Sequence, residues 1–567
     1  MKRIGLALLI LAALTFAQDR DAEFNKLADR YFDEVAFRFD PVQGTAAGFH
    51  QYDPLLASGS RAEVDQQTAA LKKWEADVSG FDPRGLSQWA VSDRELLLSQ
   101  IHGQLLTLET IRPWEKNADT YSSGATFAIF VIMARNYAPP AERLRSVVAR
   151  ERLIPRVLQS ARENLKNPPQ VYTEIALEQV PGLVSFFQND VPKAFEPVTD
   201  AKLRSEFQES NRAVMGALEA YGAWLKNDLL PRSKGNFRIG AETYQKKLLY
   251  DEMVDTRLDK LLEIGYKDLR RNQEEFRRVA RQIDPKRARQ QILEELERDH
   301  PAGDKLMETF RGVLSGLRDF IEKRQIATIP SPVFPIVQET PPFSRALTTA
   351  SMDTPGPYEK AKEAFFNVTL PDPGWPPQKQ EEYLEGFNRG TIISTAVHEV
   401  YPGHYTQFLW LQSVTTKARK LLYCGSNAEG WAHYSEQMML DEGYGSGDLK
   451  LRLGQLQDAL LRNARYIAGI QMHTGKMTQA EAADYFVKEG YQTRPVAEKE
   501  AKRGTSDPTY LVYTLGKLEI LKLREDYKKL KGTQYSLEDF HDAFLKQGAA
   551  PIRIVRRALL GNDSPVL

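Results

Sequence analysis

The chain has 567 residues, equal numbers of basic and acidic side chains (76 each) and an apolar share of 42%. That balance describes a folded globular protein and excludes wholesale disorder. With no excess of positive charge, neither a nucleic-acid partner nor an anionic membrane surface is indicated. The single cysteine, Cys424, excludes an internal disulfide; beside Leu421, Leu422 and Tyr423 it reads as a small buried hydrophobe.

The first residues have the layout of a cleavable export signal: a cationic Met1-Lys2-Arg3, an apolar run from Ile4 to Ala17, and small side chains at Thr15 and Ala17. Cleavage after Ala17 places the protein in the periplasm or outside the cell. The run is too short for a spanning helix, which needs roughly 18–20 apolar residues, so no membrane association is expected afterwards. No Cys follows the cut, which argues against lipidation.

From about Asp21 to Arg324 the pattern is helical. Phe24, Leu27, Tyr31, Phe32 and Val35 form one apolar stripe on a charged segment, and comparable stripes run through 140–165, 202–228 and 243–281. The texture changes over 326–380, which holds eleven of the 31 prolines, a density that continuous helix cannot survive. Short strands are predicted at Pro335–Glu339 and Ala364–Thr369. The segment is either a linker or a small sheet beside the active site whose free edge pairs with an extended peptide. Helix returns at Glu381 and continues to the end. The expected organisation is thus a signal (1–17), an N-terminal helical region (18–325), a Pro-rich segment with strands (326–380) and a C-terminal helical catalytic region (381–567).

The chemistry lies in the last region. Metal-assisted peptide hydrolysis needs three protein ligands, usually two His and a Glu, and a neighbouring carboxylate to take the proton of water. The usual helix motif spaces the two His by four; here His398 and His404 are six apart, with Glu399 directly after the first. On an unbroken helix six residues place the imidazoles roughly 120° apart. Pro402 breaks the ladder, and Gly403 is expected to take a left-handed conformation that swings His404 back. Glu429 is the third candidate ligand, on a helix capped by Asn427, with His433 or Glu436 as supporting groups. Three of only eight His fall between 398 and 433, which makes coincidence a poor explanation. One zinc ion per chain is expected, since a nitrogen-rich site favours zinc.

His398-Glu399-Val400-Tyr401-Pro402-Gly403-His404 followed by Glu429-Gly430-Trp431-Ala432 resembles the bacterial family known as domain of unknown function 885. Further family-like pieces are Trp114-Glu115-Lys116-Asn117 before Tyr121, Pro168-Pro169, and Tyr513-Thr514-Leu515-Gly516-Lys517 leading to Arg524. The resemblance implies a mostly α fold similar to the zinc peptidases that use two His and a downstream Glu, as in the oligopeptidase and angiotensin-converting-enzyme-like groups. It further implies Glu399 as general base, and Tyr513 and His473 as candidate donors to the oxyanion. The family pattern has an Asp near Gly469, so His473 lacks that partner here. Tyr513 reads first as a core aromatic among Leu511, Leu515 and Leu518, with oxyanion donation as the second reading. Lys517 reads as a solvated charge, with capture of a peptide's terminal carboxylate as the second reading. The activity expected is hydrolysis of short peptides. Two alternatives stay open: an inactive relative that binds peptides, or a closed structural metal site with His433 as fourth ligand.

Overall fold

A computed structural model describes residues 19–341, 345 and 348–567; the expected export signal lies outside them. Helices account for most of the chain, and their starts follow local chemistry. Ser60 accepts a hydrogen bond from the Glu63 amide at 3.3 Å, capping the helix Arg61–Gly80, whose Leu71, Trp74 and Val78 are buried. The segment predicted as one stripe over 243–281 is two helices, Ala241–Glu252 and Leu258–Ile283, separated at Met253, which has φ 55°. The 140–165 stripe likewise divides into Pro140–Glu151 and Ile154–Asn164. Apolar periodicity continues through such short breaks, so it does not reveal them.

The Pro-rich segment forms a small sheet: β1 (Ile336–Glu339), β2 (Ala350–Asp353) and β3 (Phe365–Val368). The spatial order is β1-β3-β2, with β3 parallel to β1 and antiparallel to β2. Phe366, opposite both Val337 and Met352, is fully buried and meets Phe310 edge-on at 5.1 Å. Thr349 accepts from the Thr369 amide at 2.9 Å. By the alternation of antiparallel ladders, Ala350 and Met352 therefore turn their backbone groups away from β3, along the sheet's outer edge.

Four apolar clusters organise the described helices, the smallest of them around Met472, Phe486 and Tyr510. The largest joins residues from 24–105 and 306–327 with the sheet and with 384–555. A second is built wholly from 118–229. The third packs Leu261, Leu269 and Phe276 against Leu456, Leu460 and Tyr466. Among the described residues no helix is long and apolar enough to cross a membrane.

Candidate metal centre

Six helices position the site: α1 (Arg389–Glu399), α2 (His404–Leu411), α3 (Gly425–Asp441), α4 (Leu449–His473), α5 (Arg494–Ser506) and α6 (Val512–Lys531). Asn388 starts α1 by accepting from the Gly390 and Thr391 amides at 3.0 and 3.1 Å. The helices cross without intervening side chains. A β-carbon on Gly454 of α4 would lie 2.7 Å from the Gly390 backbone of α1, and one on Gly516 of α6 would lie 1.7 Å from the Ser426 carbonyl of α3.

The six-residue spacing is resolved by ending one helix and starting another. α1 stops at Glu399, the Tyr401–Pro402 bond is cis, and α2 begins at His404. Gly403 is required, but for a reason other than the one expected. Its φ is −63°, not left-handed; the constraint is proximity, because a β-carbon there would sit 1.8 Å from the His398 carbonyl oxygen. Its amide donates to Val397 at 3.0 Å, folding the chain back over α1. The Pro402 carbonyl accepts from the Trp431 indole at 2.8 Å, tying the break to α3.

This turn brings the two imidazoles together, ring centres 4.8 Å apart and planes nearly perpendicular. Nε2 of His398 and Nε2 of His404 each lie 3.4 Å from Oε2 of Glu429. One donor atom from each of the three residues falls within 4.8 Å of the others. Oε2 of Glu429 is buried and has no hydrogen-bond partner. An orphaned carboxylate oxygen between two imidazole nitrogens is costly by itself and is what a shared cation would satisfy, so the donor set fits zinc.

The surroundings reinforce that charge pattern. Nδ1 of His398 meets Oε1 of Glu436 at 2.7 Å, and Glu436 is held by Arg462 at 2.9 Å and by His433 Nδ1 at 3.0 Å. Burial opposes charge on His398, but Glu429 and Glu436 outweigh it and hold its pKa up at about 9. A point that so favours a proton favours a metal cation for the same reason. His404 Nδ1 has no protein partner. Glu399 is half-buried beside the cluster; burial raises its pKa, against the pull of both imidazoles and a backbone hydrogen bond from Met352. The Pro-rich segment is therefore a sheet whose outer edge meets Glu399.

Other expected residues fall in different places. His433 supports Glu436 and is not part of the three-donor cluster, so the closed four-ligand site is not formed. Burial and then the Lys517 charge push its pKa down to about 3. Tyr513 stacks over His398 at 6.2 Å and is partly exposed, so it faces the site instead of filling the core. His473 is a correction. It sits eleven residues beyond Arg462 on α4, roughly 16 Å along the axis at 1.5 Å per residue. Its Nε2 pairs with the Gly504 carbonyl at 2.8 Å and its ring packs on Phe237. Gly469 faces the Tyr510 ring, where a β-carbon would lie 2.8 Å away, leaving no room for an Asp. Lys517 is fully buried rather than solvated, with no partner for its amine. Asn427 is not a cap; α3 starts two residues earlier, and Asn427 donates to the Ala550 carbonyl at 2.6 Å. Cys424 is buried, as expected, and donates to Glu252 at 3.0 Å.

A cavity of about 570 Å³ reaches the centre, lined on one side by Glu429, Tyr513, Arg503 and Tyr423 and on the other by residues of 36–108, including Gln43 and Gln104. Tyr423 and Arg503 were missed in the sequence. Tyr423 immediately precedes Cys424 and looked like part of an apolar run, yet it is about half exposed.

A mostly helical chain with two His and a Glu converging across a helix break matches, over residues 41–559, the family described as "Bacterial protein of unknown function (DUF885)". The chain belongs to that family. Among solved structures it is similar to "a putative lipoprotein of unknown function" from Shewanella oneidensis (27% identity, TM-score 0.79), covering 95% of this chain and 99% of the other. It also shares its fold with "the putative lipoprotein" from Colwellia psychrerythraea (16% identity, TM-score 0.80), covering 96% and 98%. No curated protein matches.

Proposed function

We propose that the chain is an exported zinc-dependent peptidase, with His398, His404 and Glu429 as ligands and Glu399 as general base. The observation that carries this reading is an open cluster of three donors, with the separate carboxyl of Glu399 beside it, at the end of a cavity. A structural zinc normally has four protein ligands and no base; three donors plus Glu399 suit catalysis. Zinc bound there supplies Lewis acidity toward a peptide carbonyl and makes water a better acid near neutrality.

The remaining work belongs to the chain's own groups. Glu399 takes a proton from water and returns it to the leaving amine. The outer edge of β2 offers backbone groups for an extended peptide, and the Met352 bond to Glu399 registers that edge against the base. Tyr513, over His398, is placed to donate to the oxyanion. Glu436, braced by Arg462 and His433, fixes the orientation of His398. The apolar N-terminal run and the lipoprotein descriptions of the two structural neighbours support export.

A digest of mixed peptides by purified protein tests this, comparing wild type, a zinc-depleted sample and Glu399→Gln. Cleavage that depends on zinc is expected. Glu399→Gln should retain metal while losing about 10²–10⁴-fold in turnover. Full cleavage by Glu399→Gln removes that residue from its role, and no cleavage by zinc-loaded wild type removes the peptidase reading.

A further inference from the structure

Three guanidinium groups surround Tyr513. Arg462 and Arg465 lie over its ring, 5.7 and 5.2 Å from the centre, and Arg503 donates to its hydroxyl at 3.4 Å. Two of them are already committed. Arg465 makes a two-pronged pair with buried Glu500 at 2.7 and 2.8 Å, and Arg462 holds buried Glu436 at 2.9 Å.

Arg503 differs. Its carboxylate partner is Asp507, one turn along the chain at 3.2 Å, and the two side chains are 39% and 38% exposed. Such a solvent-facing pair is weak and readily exchanged. One turn before Arg503 on α5 stands Lys499, exposed, with no ion pair or hydrogen bond for its amine among the described residues. An exchangeable planar fork and a neighbouring amine thus share a face, and Arg503 lines the cavity that also holds the metal ligand Glu429.

We propose that Arg503, assisted by Lys499, binds a carboxylate of the substrate lying beyond the bond to be cut: either a peptide's free C-terminus or an Asp or Glu side chain. The fork geometry of Arg matches a carboxylate with two parallel hydrogen bonds. Tyr513 bridges the two parts of the site, its ring 6.2 Å from His398 and its hydroxyl 3.4 Å from Arg503. That path is at most about four residues of extended chain, so the enzyme would cut near an anionic end. The inference rests on the peptidase reading.

The test uses three pentapeptides, fluorescein-labelled at the N-terminus: one uncharged sequence as the free acid and as the C-terminal amide, and the same amide with its last residue changed to Glu. kcat/KM is measured with zinc-loaded wild type, Arg503→Met, Arg503→Lys and Lys499→Ala, and fluorescence anisotropy gives Kd in the Glu399→Gln background. Wild type should prefer the acid over the amide at least tenfold; Arg503→Met should reduce that ratio below threefold, with Arg503→Lys intermediate. If the Glu amide matches the acid, the recognised carboxylate includes side chains; if it behaves as the plain amide, the terminus alone is read. Equal treatment of acid and amide by wild type, or a ratio untouched in Arg503→Met, overturns the proposal. Cleavage without preference leaves the peptidase reading standing alone. Arg503-dependent preference in binding without any cleavage leaves the carboxylate site and removes the peptidase. Neither binding nor cleavage of any peptide overturns both.

Discussion

Replacing Gly403 by Ala tests how His404 is brought to the proposed metal centre. The φ of −63° lies outside the left-handed region, so a left-handed turn is not what selects glycine. If nothing crowded the position, Ala would leave the His398 and His404 backbones where they are and zinc affinity unchanged. Proximity predicts the opposite. The new β-carbon starts 1.8 Å from the His398 carbonyl oxygen and 2.3 Å from that of Val397. Reaching an ordinary carbon–oxygen separation requires more than about 1 Å of movement, and the atoms that must yield belong to the backbone of a ligand residue. Ligand distances are tolerant to about 0.2 Å. We therefore expect at least about a 100-fold loss of zinc affinity, and roughly 1–3 kcal/mol of destabilisation typical of overpacking. Competition against a chromophoric zinc chelator measures the first, and urea melts of the zinc-free protein the second. Wild-type zinc affinity together with a raised melting midpoint would refute the reasoning.

Glu436→Gln keeps the shape beside His398 but removes the charge that braces it; zinc affinity should fall about 10–100-fold in the same chelator competition, and unchanged affinity would count against Glu436 as the supporting group. Glu151 is buried, and burial pushes its pKa up to about 7 despite hydrogen bonds from Ser210 and Asn211. Its folded pKa therefore exceeds the unfolded value, so its contribution is full below pH 4.5 and is lost as pH rises through 7, a swing of roughly 3 kcal/mol. Glu151→Gln should flatten that slope in urea melts between pH 4.5 and 8.5, whereas parallel curves for variant and wild type would exclude it. Lys517→Met removes an unpartnered buried amine whose pKa burial holds below its ordinary value. The lowered folded pKa costs stability at neutral pH and progressively less toward pH 10, so the variant should melt higher at pH 7 with a gap that narrows on alkalinisation. A lower midpoint at pH 7 would contradict this.

The residues that converge at the candidate centre were legible because their chemistry is written in short motifs: His398, Glu399 and His404 within seven positions, and Glu429 on a recognisable helix. The means of convergence was not, since sequence spacing shows that a helix must break at Pro402 but not that Gly403 is pressed against the His398 carbonyl. Two of three strands were readable from apolar residues among the prolines. β2 (Ala-Ser-Met-Asp) has no such pattern and exists through its pairing with β3. Lys517 misled because a charged residue one turn from Tyr513 reads as solvent-facing; the glycine crossing of α3 and α6 removes the space for water around it. His473 shares a helix with Arg462, yet helical rise carries it away from the centre. Arg503 and Tyr423 take their roles from the cavity, which is assembled from segments hundreds of positions apart.

The two crossings at Gly390–Gly454 and Gly430–Gly516 have a consequence for specificity. Backbone seated on backbone fixes His398, His404 and Glu429, their braces and Tyr513 as though cast in one piece. The facing wall of the cleft, from residues 36–108, stands on other helices. On the proposed reading, exchanging its glutamines would redraw the outline of an acceptable substrate while the three donors stay where they are, so the chemistry and the choice of substrate would be separately adjustable.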